Sequence, residues 1–372
     1  MVRCSINAQL LTSKVGYRRA GIHVYIAEIL KHLPNDPNLK YQAFTTYPLP
    51  DNTSAGIDWI ETAAITAHPI GRILWEQLIW PFQARRNSCN LIHGAAFSLP
   101  FVTAIPSVVT IFDLSFIYYP EIYPYSRRLY LNAATKWACK KAKKIITISE
   151  SAKNDIVQFF GADPERVHVI YPGLRPNFIR PSQQKIDNFR QEKQLPDRFI
   201  LHVGTLQPRK NLTLLIEAFA RVNVPNIDLV FAGGKGWFFS QIFDKVSQLG
   251  LTNRVHFPGY VPDQELPLWY AAADLLVFPS VYEGFGMPII EAMGCGTPVL
   301  ASNASAMPEA VGDVGELFDP RNVSNLTESI HALLENPEQL AKMRELGPAH
   351  AKKFSWAVAG EQTAKVYLEA LA

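Results

Sequence analysis

Two series of short, β-branched apolar runs, each run followed by a longer stretch with apolar residues at helical spacing, constrain this chain more than any other feature. Strands of that kind are buried on both faces, and helices between them return the chain across the sheet, so each series folds as a parallel sheet covered by helices. The first series comprises residues 3–7, 41–46, 90–93, 107–113, 144–149 and 167–171; the second comprises 199–204, 227–233, 255–258, 274–279, 298–302 and 316–318. The length of 372 residues agrees, since about 150 residues per domain gives roughly 2.5 domains. Residues 172–198 hold four prolines and little apolar periodicity. The expected organisation is therefore a first domain over 1–172, a linker over 173–198, a second domain over 199–355, and a helix over 356–372 that packs back toward the first domain. Two doubly wound α/β domains in tandem would present the carboxyl ends of their sheets to a shared cleft, where such sheets bind ligands.

Composition narrows the class. With 48% apolar and 19% charged residues the chain is an ordinary globular protein, and a net charge of +3 is too small to argue for nucleic acid. Cys4, Cys89, Cys139 and Cys295 show no C-x-x-C spacing, so reduced thiols in a cytoplasmic protein are expected. The first eleven residues lack the apolar core of a signal peptide, and no run approaches the length of a membrane span.

The most informative segment is DLLVFPSVYEGFGMPIIEAMGCGTPV, from Asp274. A buried strand runs into a loop holding Glu283, Gly284, Phe285 and Gly286, and Pro288 stands where a helix begins. The glycines let backbone approach a ligand, and the N–H groups of Gly286, Met287 and the first helical turn are available to an anion. Carboxylates beside a bound diphosphate are costly unless they accept hydrogen bonds from neutral hydroxyls, so Glu283 is assigned to hydroxyls of a donor sugar and Glu291 to a ribose. Glu291 alone is equally explained as an acid favourably placed near a helix start.

In FILHVGTLQPRKN, from Phe199, a strand ends at Gly204 and Thr205, and Arg209 and Lys210 precede a helix that Asn211 can cap. Two cations there make a diphosphate clamp, with a solvated Arg-Lys pair as the alternative. The run LVFAGGKGW, from Leu229, offers Gly233 and its neighbours for close approach to a ligand, but it is not a P-loop.

Together these stretches resemble the donor-binding domain of family 4 retaining glycosyltransferases, whose fold is GT-B. The E-x7-E pair is Glu283 and Glu291, followed by GFGMPIIEAMGCGTPV from Gly284 and matched upstream by GTLQPRKN from Gly204. In the first half TIFDLSF from Thr110, ITISESAKNDI from Ile146 and VIYPGL from Val169 look like family landmarks. The resemblance implies that Lys210 and Arg209 bind the donor diphosphate, that Glu283 and Glu291 contact sugar and ribose, and that Tyr260 and Val261 seat the base. Two positions depart from the pattern: Thr205 stands where many members have arginine, and Phe112 where many have a polar histidine.

The first half is less legible. GYRRAGI, from Gly16, resembles the family's glycine-rich loop, with Gly21 as the residue closing on donor phosphates. His93 ends a strand and would either face the cleft or serve as a structural histidine; Asp113 is an acceptor-side candidate or a local cap. Lys136, Lys140, Lys141, Lys143 and Lys144 form a basic stretch that is either a solvated helix face or an attraction to an anionic membrane, at about 1 kcal/mol per cation.

The resulting expectation is a retaining, metal-independent glycosyltransferase, with no D-x-D motif, moving a sugar from a nucleoside-diphosphate sugar to a saccharide or lipid-linked acceptor. The resemblance points to GDP-mannose and polysaccharide synthesis. The alternatives are a nucleotide-sugar epimerase, a dinucleotide oxidoreductase and a non-catalytic nucleotide-sugar-binding protein. No cofactor is expected, and the location would be cytoplasmic, with contact at the inner membrane face.

Overall fold

The computed structural model describes residues 1–11, 21–47, 56–234, 236 and 239–372. Gly16, Arg18 and Arg19 of the expected glycine-rich loop, and Lys235 and Trp237 of the LVFAGGKGW run, lie outside the described residues. The chain divides into two compact units. One is Met1–Pro172 with Ser355–Ala372, and the other is Gly173–Phe354.

Among the described residues the first unit holds a seven-stranded sheet: β1 (Val2–Asn7), β2 (Leu39–Thr45), β3 (Ile57–Glu61), β4 (Leu91–Gly94), β5 (Ser107–Ile111), β6 (Lys144–Thr147) and β7 (Val167–Val169), in the order β3-β2-β1-β4-β5-β6-β7. The second holds a six-stranded sheet of β8 (Phe199–Val203), β9 (Asp228–Ala232), β10 (Val255–Gly259), β11 (Leu275–Phe278), β12 (Val299–Ser302) and β13 (Glu316–Phe318), in the order β10-β9-β8-β11-β12-β13. Every ladder is parallel. Central strands such as β5, β8 and β11 are buried at every residue, which is why their sequences read as unbroken apolar runs.

Each expected strand has a counterpart, and β3 is an addition. Its sequence, IDWIE, is half-exposed throughout because it forms the edge, so it lacks the apolar run of a central strand. Lys144 opens β6, whereas the helix carrying Lys136 and Lys140 ends at Lys141, so the basic stretch does not lie on one helix.

Residues 173–198 belong to the second unit and are not a bare connection. They contain the helix Gln183–Glu192, which buries Ile186 and Phe189, and the Phe189 ring stands edge-on to Trp269 at 5.5 Å. Two apolar residues three apart are enough to seat one turn of an otherwise polar helix, a signal too short to register as periodicity. The helix Trp356–Glu369 belongs to the first unit. Trp356 packs edge-on to Tyr25 at 5.5 Å, and Gly360 admits the His32 carbonyl where any side chain would collide with it.

Candidate functional site

In the second unit the loops that leave β8 and β11 are bonded to each other at the carboxyl edge of the sheet. After β8 the chain passes Gly204 at φ 154° and makes a short 3-10 turn, Pro208–Lys210. Asn211 then adopts the left-handed region at φ 55°, which asparagine tolerates better than most residues, and the helix Leu212–Arg221 follows. Asn211 does not cap that helix with its side chain. Its Nδ2 donates to the Pro320 carbonyl at 2.9 Å, tying this loop to the one after β13.

After β11, Gly286 at φ 100° precedes the helix Met287–Gly294. A side chain at Gly286 would press on Ile289, so the tight entry into this helix depends on glycine. Arg209 donates through Nη1 to the Tyr282 carbonyl at 2.6 Å, and the Val281 N–H donates to the Arg209 carbonyl at 3.1 Å. These bonds fix Glu283 between two cations. Its Oε2 lies 2.8 Å from Arg209 Nη1, and its Oε1 accepts from Lys210 Nζ at 2.6 Å. Lys210 also sits 4.9 Å above the Phe278 ring.

All three charged side chains are largely out of water. Burial alone would push the Glu283 carboxyl upward, but Arg209 and then Lys210 outweigh it and pull the pKa down to about 2. The expected division, with Glu283 on hydroxyls and the cations on phosphate, thus begins from a single paired cluster with one net positive charge.

Glu291 lies in the second turn of its helix and is buried. Its Oε1 accepts from Arg175 at 3.2 Å and its Oε2 from the Tyr270 hydroxyl at 3.0 Å. Arg175 reaches Asp263 at 2.8 Å with its other terminal nitrogen and lies over the Phe178 ring. Burial raises the Glu291 pKa against the pull of Arg175. Each of its oxygens still has a lone pair for a further donor. Sequence reading missed Arg175 and Tyr270; Arg175 directly follows the VIYPGL landmark, which is the signal that pointed to it.

Several expected contacts take another form. Gly233 is required by the chain itself, because a side chain there would strike the Gly204 carbonyl, and its N–H donates to Gly259 at 2.8 Å. The Phe285 ring is buried against Phe354 at 5.2 Å, which leaves only its backbone for a ligand. Gly284 is buried, Thr205 and Met287 are half-buried, and Tyr260 is exposed while the adjacent Val261 is buried. His202 was not singled out from sequence. It lies fully buried beneath Gly204, with Nδ1 bonded to the Val277 carbonyl at 3.2 Å, no partner on Nε2, and its pKa lowered to about 3 by burial.

In the first unit His93 is a structural residue. Its ring is buried, with Nδ1 on the Tyr367 hydroxyl at 2.8 Å and Nε2 on Thr110 at 2.9 Å, and burial lowers its pKa to about 3. Both nitrogens are used by the protein, so the catalytic place expected for His93 is not supported by its geometry. Asp113 accepts from the Ser115 N–H at 2.8 Å and acts as a local cap. Gly21 precedes the helix Ile22–His32 at φ 53°, a conformation suited to glycine. Phe112 is buried against Tyr25 and Phe97.

One further group at the carboxyl edge of this sheet was not anticipated. Glu76 is buried on the π-helical stretch Trp75–Ile79, where it accepts from Asn7 at 3.0 Å, Ser98 at 2.9 Å and Gln77 at 3.1 Å. Burial pushes its pKa up to about 7, with those donors and Arg72 opposing.

The second unit thus places a buried cation–carboxylate cluster at the carboxyl edge of its parallel sheet, the edge at which such sheets bind ligands. Residues 183–350 match the family model described as glycosyl transferases group 1, and residues 16–178 match the one described as glycosyltransferase family 4. The chain is 33% identical over 284 residues to the O-antigen chain mannosyltransferase B of Escherichia coli, covering 74% of each. It is 31% identical over 244 residues to the MMP alpha-(1->4)-mannosyltransferase of Mycolicibacterium hassiacum, covering 64% of this chain and 56% of that one. Among solved structures, sucrose-phosphate synthase from Thermosynechococcus elongatus superposes with a TM-score of 0.78 at 22% identity over 99% of both chains. Anabaena Alr3699/HepE, solved with UDP and glucose, gives 0.76 at 22% identity over 99% of this chain and 100% of that one. The chain belongs to the group 1, family 4 glycosyltransferases and has the GT-B fold; it is a glycosyltransferase.

Proposed function

We propose that the protein transfers mannose, with retention of configuration and without a metal ion, from GDP-mannose to a saccharide or lipid-linked saccharide acceptor in polysaccharide synthesis. The observation that carries this reading is the Arg209–Glu283–Lys210 cluster at the carboxyl edge of the second sheet. The mannosyltransferase relatives support the choice of sugar, and the O-antigen relative supports a saccharide acceptor.

In the free protein Glu283 neutralises one of two cations and holds both side chains in place. A diphosphate arriving beside them meets a preformed positive site, and negative charge developing on the leaving phosphate at bond cleavage falls on Lys210 and Arg209. Glu283 stays ionised across the working pH range, so it acts as a hydrogen-bond acceptor for sugar hydroxyls and not as a proton donor. Glu291, steadied by Arg175 and Tyr270, offers its remaining lone pairs to the ribose, and the exposed ring of Tyr260 offers a face to the base. The acceptor hydroxyl then attacks from the face the leaving group vacates, and the departing phosphate takes its proton. The two cations supply the charge that a divalent metal supplies elsewhere, so turnover is expected to persist in EDTA.

A thermal-shift panel of GDP-mannose, UDP-glucose and dTDP-glucose tests the donor. A ligand at 100 times its Kd adds about 2.7 kcal/mol of stability, so a shift confined to GDP-mannose supports the reading and a shift confined to another nucleotide overturns it. Loss of turnover in EDTA that Mn²⁺ restores would refute the metal-free step.

A further inference from the structure

His202 is the polar residue of β8, whose other members, Phe199, Ile200, Leu201 and Val203, are buried and apolar. Its ring is wholly buried beside aromatic neighbours, stacked on Phe278 at 5.8 Å and tilted against Phe231 at 6.0 Å. A phenylalanine would suit that space, so what histidine adds is its two nitrogens. Nδ1 meets the Val277 carbonyl, which can only accept; Nδ1 therefore carries the hydrogen of the neutral ring, and Nε2 carries a lone pair. That lone pair has no partner. A buried polar atom left unpaired costs stability, and such an atom calls for a use.

Gly204 shows where the lone pair is aimed. A side-chain carbon built on Gly204 would stand 3.2 Å from His202 Nε2, 3.5 Å from Lys210 Cε and 3.7 Å from Lys210 Nζ. The ring nitrogen and the ammonium therefore border one small space, which glycine keeps open. Phe278 is shared by both, since it stacks on the imidazole and its ring centre lies 4.9 Å from Lys210 Nζ. Burial, and after it the lysine charge, hold the imidazole neutral.

A neutral acceptor at this place has a specific use. Lys210 reaches the site on a flexible four-carbon stem and is held by Glu283 Oε1 at 2.6 Å. When Glu283 turns its oxygens to sugar hydroxyls, that hold weakens just as the leaving phosphate needs a fixed charge beside it. A second carboxylate would steady the lysine but cancel its charge. An imidazole lone pair steadies it and leaves the charge whole.

We propose that His202 is a positioning residue for Lys210: its Nε2 lone pair accepts a hydrogen bond from the lysine ammonium when Glu283 turns to the donor sugar, and so keeps the ammonium aimed at the leaving diphosphate. His202 acts through the lysine and touches no substrate itself, being fully buried. The inference rests on the donor reading of Lys210 and Glu283 given above.

The test reads GDP released from GDP-mannose by the full chain. His202→Phe should melt within about 3 °C of the parent, keep the thermal shift with GDP-mannose, and lose at least about tenfold in kcat while KM changes by less than about threefold. His202→Gln, whose side-chain oxygen can stand in for Nε2, should be at least about threefold faster than His202→Phe. The double variant Lys210→Ala/His202→Phe should be no slower than Lys210→Ala, because the ring acts only through the lysine. The proposal is overturned by a parental kcat in His202→Phe, by melting of that variant well below the parent, by equal slowness of His202→Gln, or by a double variant slower than Lys210→Ala. Near-parental turnover in Lys210→Ala overturns the donor reading and this inference with it; a slow Lys210→Ala beside a parental His202→Phe overturns this inference alone.

Discussion

At the carboxyl edge of the first sheet Glu76 is held by three neutral donors, whereas at the corresponding edge of the second sheet Glu283 is held by two cations. Both carboxyls are buried, so desolvation pushes both toward the neutral form, and the partners decide the result. Amide and hydroxyl donors, with the Arg72 charge acting without a direct hydrogen bond, leave Glu76 at about 7, while Arg209 and Lys210 in direct contact draw Glu283 down to about 2. Two sheets built alike therefore carry edges of different chemistry. The second holds a fixed charge through any physiological pH, and the first holds a proton that neutral pH can remove.

The largest effect that would break this contrast is on turnover. Lys210→Ala or Glu283→Ala should each lower it by at least about a hundredfold, the scale for loss of one preorganised charged group, and near-normal rates in both would show that the cluster is only structural. Next comes stability. Arg209→Ala leaves Glu283 buried with one cation fewer and should lose about 3 to 5 kcal/mol in urea denaturation at pH 7; a loss under about 1 kcal/mol would mean that water already screens the pair.

The pH dependence separates the two edges. A folded pKa of about 2 against 4.5 means that the Glu283 cluster stabilises the fold above pH 4.5, and that this stabilisation disappears as pH falls through about 2. A folded pKa of about 7 has the opposite sign. The folded chain keeps a proton on Glu76 that the unfolded chain has released, so stability falls as pH rises from 4.5 through about 7, by about 3 kcal/mol at full extent. Glu76→Gln should remove that slope from melting curves taken between pH 5 and 8, and an unchanged slope would place the proton elsewhere. The smallest effect is at His93, where His93→Gln should lose about 1 kcal/mol of stability without altering the donor-induced thermal shift. A vanished shift would return His93 to the site.

What the sequence displayed follows from the same physics. Strands buried on both faces have no choice but apolar residues, so β5, β8 and β11 were legible, and the half-exposed edge strand β3 was not. Arg209, Lys210, Glu283 and Glu291 were legible as residue types beside glycine-bearing turns. Their pairing was not, because whether Glu283 meets a hydroxyl or a cation depends on two loops that lie far apart in the chain and are joined only by tertiary bonds such as that of Arg209 to the Tyr282 carbonyl. Glu76 was hidden by its π-helical stretch, which breaks the 3.6-residue period by which an inward-facing position is recognised. Arg175 follows the VIYPGL landmark, but its importance lies in reaching Asp263 and Glu291 at once, which only the tertiary structure displays.

The return of Ser355–Ala372 to the first unit sets an order of events during synthesis. The second unit is continuous in sequence and has all its parts once Phe354 is made. The first unit, although translated earlier, must wait for Trp356 to cover Tyr25, for Gly360 to close on His32 and for Tyr367 to reach His93. The half of the chain that the ribosome makes first is thus the half completed last, and until residues 355–372 emerge it stands with part of its core uncovered.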